Sequence, residues 1–242
     1  MSPFMTKLLS WVFGRPENPE YNEPARVEKD FSWFFPPKTL TDPLSWDRYW
    51  YEHISHHYDC YVDVMLDDGE LVDALRQNGL RKILCIGSGI SQEPRALAWA
   101  GFDVTVLDLS PFAMRVSSEV DPPESYLAQL VGNRERTAEG SLKFVAGDLC
   151  DSSYCPGPYD VIIDRRTLQL WPDDELPIAM QTVANRLAPR GLFYSHCHDG
   201  SFSFQQPPTH ALESWFKQEG WEFWFGEGSL TNRAAWLTIS TG

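Results

Sequence analysis

Short apolar runs separated by polar, turn-forming stretches recur along this chain at the spacing of an α/β protein. A parallel strand covered on both faces shows as a nearly unbroken run of β-branched and aliphatic residues. Five such runs follow one another: Ile83–Ile86, Val104–Leu107, Leu142–Ala146, Val161–Ile163 and Leu192–Cys197. The segments between them carry helix punctuation. Pro94 suits a first helical turn and Gly101 a C-terminal stop, Ser110-Pro111 opens another helix, and a third runs from Asp174 to Leu187 before Ala-Pro-Arg-Gly. The stretch 121–140, beginning D-P-P-E-S, reads as a polar insertion. Upstream, Trp46 to Asp59 reads as a helix with Trp46, Tyr49, Trp50 and Ile54 on one face, and Tyr61 to Gln77 as a second. Downstream, Ala211 to Glu219 reads as a final helix. It is followed by W-E-F-W-F-G and A-A-W-L-T-I-S, two runs placed to form an antiparallel hairpin. The fold class is therefore α/β, a Rossmann-like doubly wound sheet of five parallel strands closed by a hairpin to make seven. This domain spans 79–242. Residues 1–78 form an N-terminal arm and helices, with a Pro- and aromatic-rich segment from Arg15 to Pro43.

Length and charge narrow the picture. The 242 residues suffice for one full α/β core and not for two large ones. A formal net charge of −14 opposes nucleic acid as a partner, since that affinity rests on neutralising phosphates. The five cysteines are odd in number and lack C-x-x-C spacing, which fits free thiols in a reducing, cytoplasmic setting. The apolar opening, M-S-P-F-M-T-K-L-L-S-W-V-F-G, lacks the basic start and cleavage site of a signal peptide, and no run is long enough to span a membrane. Oligomeric state is not legible.

The informative stretch is K-I-L-C-I-G-S-G-I-S-Q-E-P-R-A-L-A-W-A-G-F-D-V-T-V-L-D-L-S, from Lys82 to Ser110. Strand, Gly-x-Gly turn, helix, strand and terminal acid follow in that order. Gly87 and Gly89, flanking Ser88, allow a sharp turn and close approach of a ligand to the backbone. Asp108 lies nineteen residues after Gly89, at the carboxyl end of the second strand, where a carboxylate can accept both hydroxyls of a ribose. A dinucleotide fingerprint needs a third glycine three positions after Gly89. Here Gln92 stands there, followed by Glu93, and an acid beside a pyrophosphate repels it. NAD and FAD are disfavoured.

This pattern resembles motif I of the class I S-adenosylmethionine-dependent methyltransferases. Cys85 stands where that family commonly has an acid, and Ser91 where it commonly has a third glycine. The string D-R-x-x-L at Asp164 is similar to that of thiopurine methyltransferases and their small-molecule relatives. The resemblance covers Gln77 to the C-terminus. It implies S-adenosylmethionine as cofactor, with contacts from Gly87, Ser88, Gly89, Asp108, Leu109, Asp148, Leu149 and Asp164. In that family the acid after the third strand bonds the adenine amino group. Asp164 would then sit by the sulfonium and Arg165 by the acceptor.

Methyl transfer from a sulfonium is an in-line displacement, and a base is needed only where the acceptor must lose a proton. Asp164, His196, His198 and His56 are the candidate bases, and Asp164, Arg165 and His196 the expected catalytic set. Tyr49, His56, Arg165 and Trp171 are expected on the acceptor side. His53 and His57 stand at the i, i+4 spacing of a helical metal pair, but no further ligand at matching spacing completes a site, so no metal is expected. The expected function is methyl transfer to a small-molecule nucleophile at S, N or O. The alternatives are a non-catalytic S-adenosylmethionine-binding scaffold, a nicotinamide-dependent oxidoreductase, and a protein-modifying methyltransferase.

Overall fold

A seven-stranded sheet runs through the computed structural model, whose described residues are 42–57, 69–165, 167–172, 174–198, 221–226 and 232–239. Its strands are β1 (Lys82–Ile86), β2 (Asp103–Asp108), β3 (Ser141–Ala146), β4 (Tyr159–Arg165), β5 (Leu187–His198), β6 (Trp221–Gly226) and β7 (Asn232–Ile239), in the order β3-β2-β1-β4-β5-β7-β6. β1 to β5 pair in parallel, while β7 lies antiparallel between β5 and β6. The helices are α1 (Pro43–His57), α2 (Glu70–Gln77), α3 (Glu93–Trp99), α4 (Pro111–Glu119), α5 (Glu124–Leu130) and α6 (Leu176–Arg186), with one 3-10 turn at Leu168–Leu170.

The unbroken apolar runs are explained by cover on both faces. Successive side chains of a strand point to opposite sides. Ile83, Cys85, Val104, Val106, Val161 and Ile163 face one core, which takes in Leu71, Leu75, Leu97, Met114 and Leu127 from the helices on that side. Leu84, Ile86, Leu107, Ile162 and Phe193 face the other, which α6 closes with Leu176, Ala179, Met180 and Val183.

The structure differs from expectation in three places. The stretch 121–140 contains the helix α5, with Leu127 and Leu130 buried in the first core. The flanking charges hid this short apolar face, because two inward leucines give little amphipathic signal over twenty residues. β5 begins at Leu187, where the preceding helix was expected to end, and takes up the Ala-Pro-Arg-Gly segment ahead of the expected strand start at Leu192; the register against β4 slips there, from Tyr159↔Leu187 to Val161↔Leu192. The helix expected from Tyr61 to Gln77 instead has its N-cap at Gly69, in a left-handed conformation, and runs over Glu70–Gln77. The arm before residue 42 and the expected helix Ala211 to Glu219 lie outside the described residues. Among those described, no helix is long and apolar enough to cross a membrane.

α6 offers a direct test of the second core. Met180 is fully buried, whereas Ile178, two residues away, is 60% exposed. Met180→Ala should cost about 2–4 kcal/mol in urea unfolding, and Ile178→Ala should stay within about 0.5 kcal/mol of the parent.

Candidate functional site

The strand order reverses at β1, whose neighbours are β2 and β4. In doubly wound sheets the crevice outside the carboxyl ends at such a reversal is where ligands lie. The turn leaving β1 enters this crevice with both glycines left-handed, Gly87 at φ 59° and Gly89 at φ 54°. Neither position has room for a side chain. A Cβ on Gly87 would stand 2.1 Å from Thr167 Oγ1, and one on Gly89 2.1 Å from Cζ2 of Trp50. The turn is thus gripped from two sides, by the loop after β4 and by α1. Thr167 Oγ1 also donates toward the carbonyls of Ile86 and Gly87, at 3.1 and 3.2 Å. Ser88 is half-buried between the two glycines.

Asp108 closes β2 beside this turn and is 7% exposed. Its Oδ2 accepts from the Gly89 amide at 2.8 Å, and its Oδ1 accepts from the Ser110 amide at 2.8 Å. Each oxygen keeps further acceptor capacity. Burial pushes its pKa up to about 6; the charge of Asp47 adds to this, while the two amides pull the other way. Leu109 follows, half-buried.

One strand over, the loop after β3 carries Asp148, which is exposed, and Leu149, which is buried in the second core. Asp148 Oδ1 accepts from the Cys150 amide at 2.8 Å. Arg186, at the end of α6, holds this loop from beneath. Its buried guanidinium donates to the carbonyls of Leu149 (2.7 Å), Asp151 (2.9 Å), Tyr154 (2.9 Å) and Cys155 (3.0 Å). Sequence reasoning missed Arg186, because a basic residue in the last turn of a helix ordinarily faces water and the helix dipole.

Asp164 is completely enclosed. Its Oδ1 accepts from the amides of Thr167 (2.9 Å) and Leu168 (3.2 Å), and its Oδ2 accepts from Ser195 Oγ (2.8 Å). Burial raises its pKa against those bonds. The D-R-x-x-L string thus has a local physical account: Asp164 caps the 3-10 turn and Leu168 fills the second core. Arg165 stands in register opposite His196 at the carboxyl ends of β4 and β5. The side chains of Arg165, His196, His198 and His56 lie outside the described set, as do those of His53 and His57. On α1, Tyr49 is half-buried between the rings of Trp46 and Trp50, edge-on at 5.5 and 5.2 Å, and burial raises its phenol. Trp171 packs at the rim of the second core.

The structure therefore gathers Gly87, Ser88, Gly89, Asp108, Leu109 and Asp164 at the reversal, with Asp148 and Leu149 one strand away. Trp50 and Thr167 join them unforeseen. In the sequence Trp50 shows only as one member of an apolar helix face, and a lone Thr in a loop carries no signal of its own.

No protein-family model matches the chain, and no curated protein matches it. Solved structures do. The DhpI–SAM–HEP complex aligns with a TM-score of 0.56 at 17% identity, over 82% of this chain and 99% of that one. A TehB-like SAM-dependent methyltransferase from Corynebacterium glutamicum gives 0.56 at 18% identity, over 82% and 100%. Magnesium protoporphyrin IX methyltransferase (ChlM) from Synechocystis, with bound SAH, gives 0.52 at 17% identity, over 72% and 82%. The chain has the class I S-adenosylmethionine-dependent methyltransferase fold. In this methyltransferase fold the crevice at the strand reversal is formed by the Gly87–Gly89 turn, Asp108 and the capped end of β4.

Two tests follow from this geometry. Arg186→Met keeps the length but leaves four carbonyls short of a donor, and should lower stability by about 3 kcal/mol or more in urea unfolding. Arg186→Lys should recover only part, since three donors on one nitrogen cannot reach all four. For Asp108, a folded pKa of about 6 lies above that of the unfolded chain, so its contribution is fully present below about pH 4 and is lost as the pH rises through 6. Stability of the free protein relative to Asp108→Asn should fall by about 2–3 kcal/mol between pH 4 and 7.

Proposed function

We propose that this protein is an S-adenosylmethionine-dependent methyltransferase acting on a small-molecule nucleophile. The observation that carries the reading is Asp108: a buried acid at the tip of β2, bonded to the Gly89 amide, in a methyltransferase fold. The residues present suit this cofactor and not a dinucleotide. Gln92 and Glu93 are both buried at the head of α3, where a pyrophosphate would meet a carboxylate. S-adenosylmethionine has no phosphate, and its positive sulfonium is compatible with the acids along this edge.

When bound, the cofactor supplies a methyl group already activated on sulfur. Asp108 would accept the ribose hydroxyls, with Gly87, Ser88 and Gly89 shaping the wall beside it. Leu109 would lie on the adenine, and Asp148 with the Leu149 amide would take its polar edge, held in place by Arg186. Asp164 has both oxygens engaged, so its part is to fix the end of β4 near the sulfonium rather than to move a proton. Arg165 and His196, paired in register at the ends of β4 and β5, would then orient and deprotonate an acceptor bounded by Tyr49, His56 and Trp171. Holding the nucleophile in line supplies most of what this reaction needs, and proximity of this kind is worth several kcal/mol. The net charge of −14 argues against a nucleic-acid acceptor.

Calorimetric titration with S-adenosylhomocysteine, with NADH as control, tests the reading. Micromolar binding of S-adenosylhomocysteine is expected, about a hundredfold weaker in Asp108→Asn, where the ionised acceptor is gone. Affinity should also weaken as the pH falls below about 6, because protonation removes the form of Asp108 that accepts both hydroxyls. Clear NADH binding with none of S-adenosylhomocysteine would overturn the assignment. Binding without turnover on a broad acceptor panel would favour a scaffold over an enzyme.

A further inference from the structure

α1 does more than cover the first core. Asp47, in its second turn, has an Oδ1 that accepts from Ser110 Oγ at 2.5 Å and from the Phe112 amide at 2.9 Å. The Phe112 amide is one of the donors that the first turn of α4 cannot satisfy within the helix. Ser110 is fully buried and is itself the N-cap of α4, its Oγ accepting from the Ala113 amide at 3.0 Å. Its own amide donates to Asp108 Oδ1 at 2.8 Å. Two carboxylates thus hold one serine, Asp47 by the hydroxyl and Asp108 by the amide. Residues three and four positions apart share a helix face, and the same face of α1 carries Trp50 against Gly89 and Tyr51 edge-on to Phe112 at 5.9 Å.

We infer that Asp47 is a positioning residue of the cofactor site: it clamps α1 onto the head of α4, and so seats Trp50 on the Gly87–Gly89 turn and steadies Ser110 against Asp108. The inference rests on the proposed S-adenosylmethionine site. A helix-docking role alone would use any contact between α1 and the domain. This contact is made two residues from the ribose acid, and the glycine that Trp50 covers is the one bonded to that acid. Asp108 is faced by the Gly89 amide from the β1 turn, the Ser110 amide from the head of α4, and the Asp47 carboxylate from α1, whose charge adds to its proton affinity. Removing Asp47 therefore acts on the site in two separable ways, by loosening the wall and by relieving a like charge.

The experiment is titration of the whole 242-residue chain with S-adenosylhomocysteine from pH 5 to 8, for the parent, Asp47→Ala, Asp47→Asn, Asp108→Asn and Arg48→Ala. Arg48 is an exposed neighbour on α1 that pairs with Glu52 among the described residues, and its loss should leave binding unchanged. Asp47→Ala should weaken binding about tenfold at neutral pH. Asp47→Asn keeps an oxygen for Ser110 and Phe112 and should bind nearly as the parent does, but with the acid limb of its binding profile moved to lower pH. A purely structural contact would lower the melting temperature and leave that limb in place. Should Asp47→Ala fail to fold, the limb in Asp47→Asn decides. Parent-like affinity in Asp47→Ala together with a parent-like limb in Asp47→Asn, alongside lost binding in Asp108→Asn, would overturn the inference and leave the cofactor reading standing. Failure of the parent to bind at any pH would overturn both.

Discussion

The hydrogen bond from the Gly89 amide to Asp108 Oδ2 joins the ends of β1 and β2 across nineteen residues of chain. It needs a left-handed glycine on one side and a carboxylate taken out of water on the other, and each is unfavourable alone. Gly89 gives up backbone entropy that a residue with a side chain would not. Asp108 gives up hydration, and the two amides it receives offset only part of that loss, which is why its pKa stays high. A protein selected for stability alone would place an apolar residue there. An acid kept at this expense, with acceptor capacity left over and at the point where ligands enter doubly wound sheets, is the pattern of a ligand site.

The remaining parts of the edge are held in a similar way, by side chains that saturate backbone groups. Asp164 caps the turn after β4, Arg186 knits the loop after β3, and Asp47 and Ser110 together cap α4. Loops at the carboxyl ends of strands have no ladder partners of their own, so their amides and carbonyls must be met from elsewhere. Here they are met by charged groups, whose hydrogen bonds are the stronger kind.

Much of this was legible beforehand, for reasons that differ by element. The central strands showed in the chain because burial on both faces leaves unbroken apolar runs, and Asp108 showed because an acid ending such a run after Gly-x-Gly is a local pattern. α5 was hidden because two inward leucines among charges do not stand out. Asp164 was legible as an important residue, but whether its carboxylate faces a ligand or its own loop depends on Ser195, thirty-one residues away. Arg186, Thr167 and Asp47 were silent for the same reason: each acts on backbone atoms distant in sequence, and no spacing rule records such a contact.

The two cores meet this edge from opposite sides of the sheet. Trp50 packs on the core that contains Leu127, while Leu149 belongs to the one that contains Met180. The sheet itself lies between them, with successive side chains pointing to opposite faces, so defects on one side do not share a cavity or a partner with defects on the other. Energetic losses in the two halves should therefore be additive. The wall formed by α1 can diverge among descendants of this chain, reshaping what is admitted, while the loop under Arg186 stays unchanged.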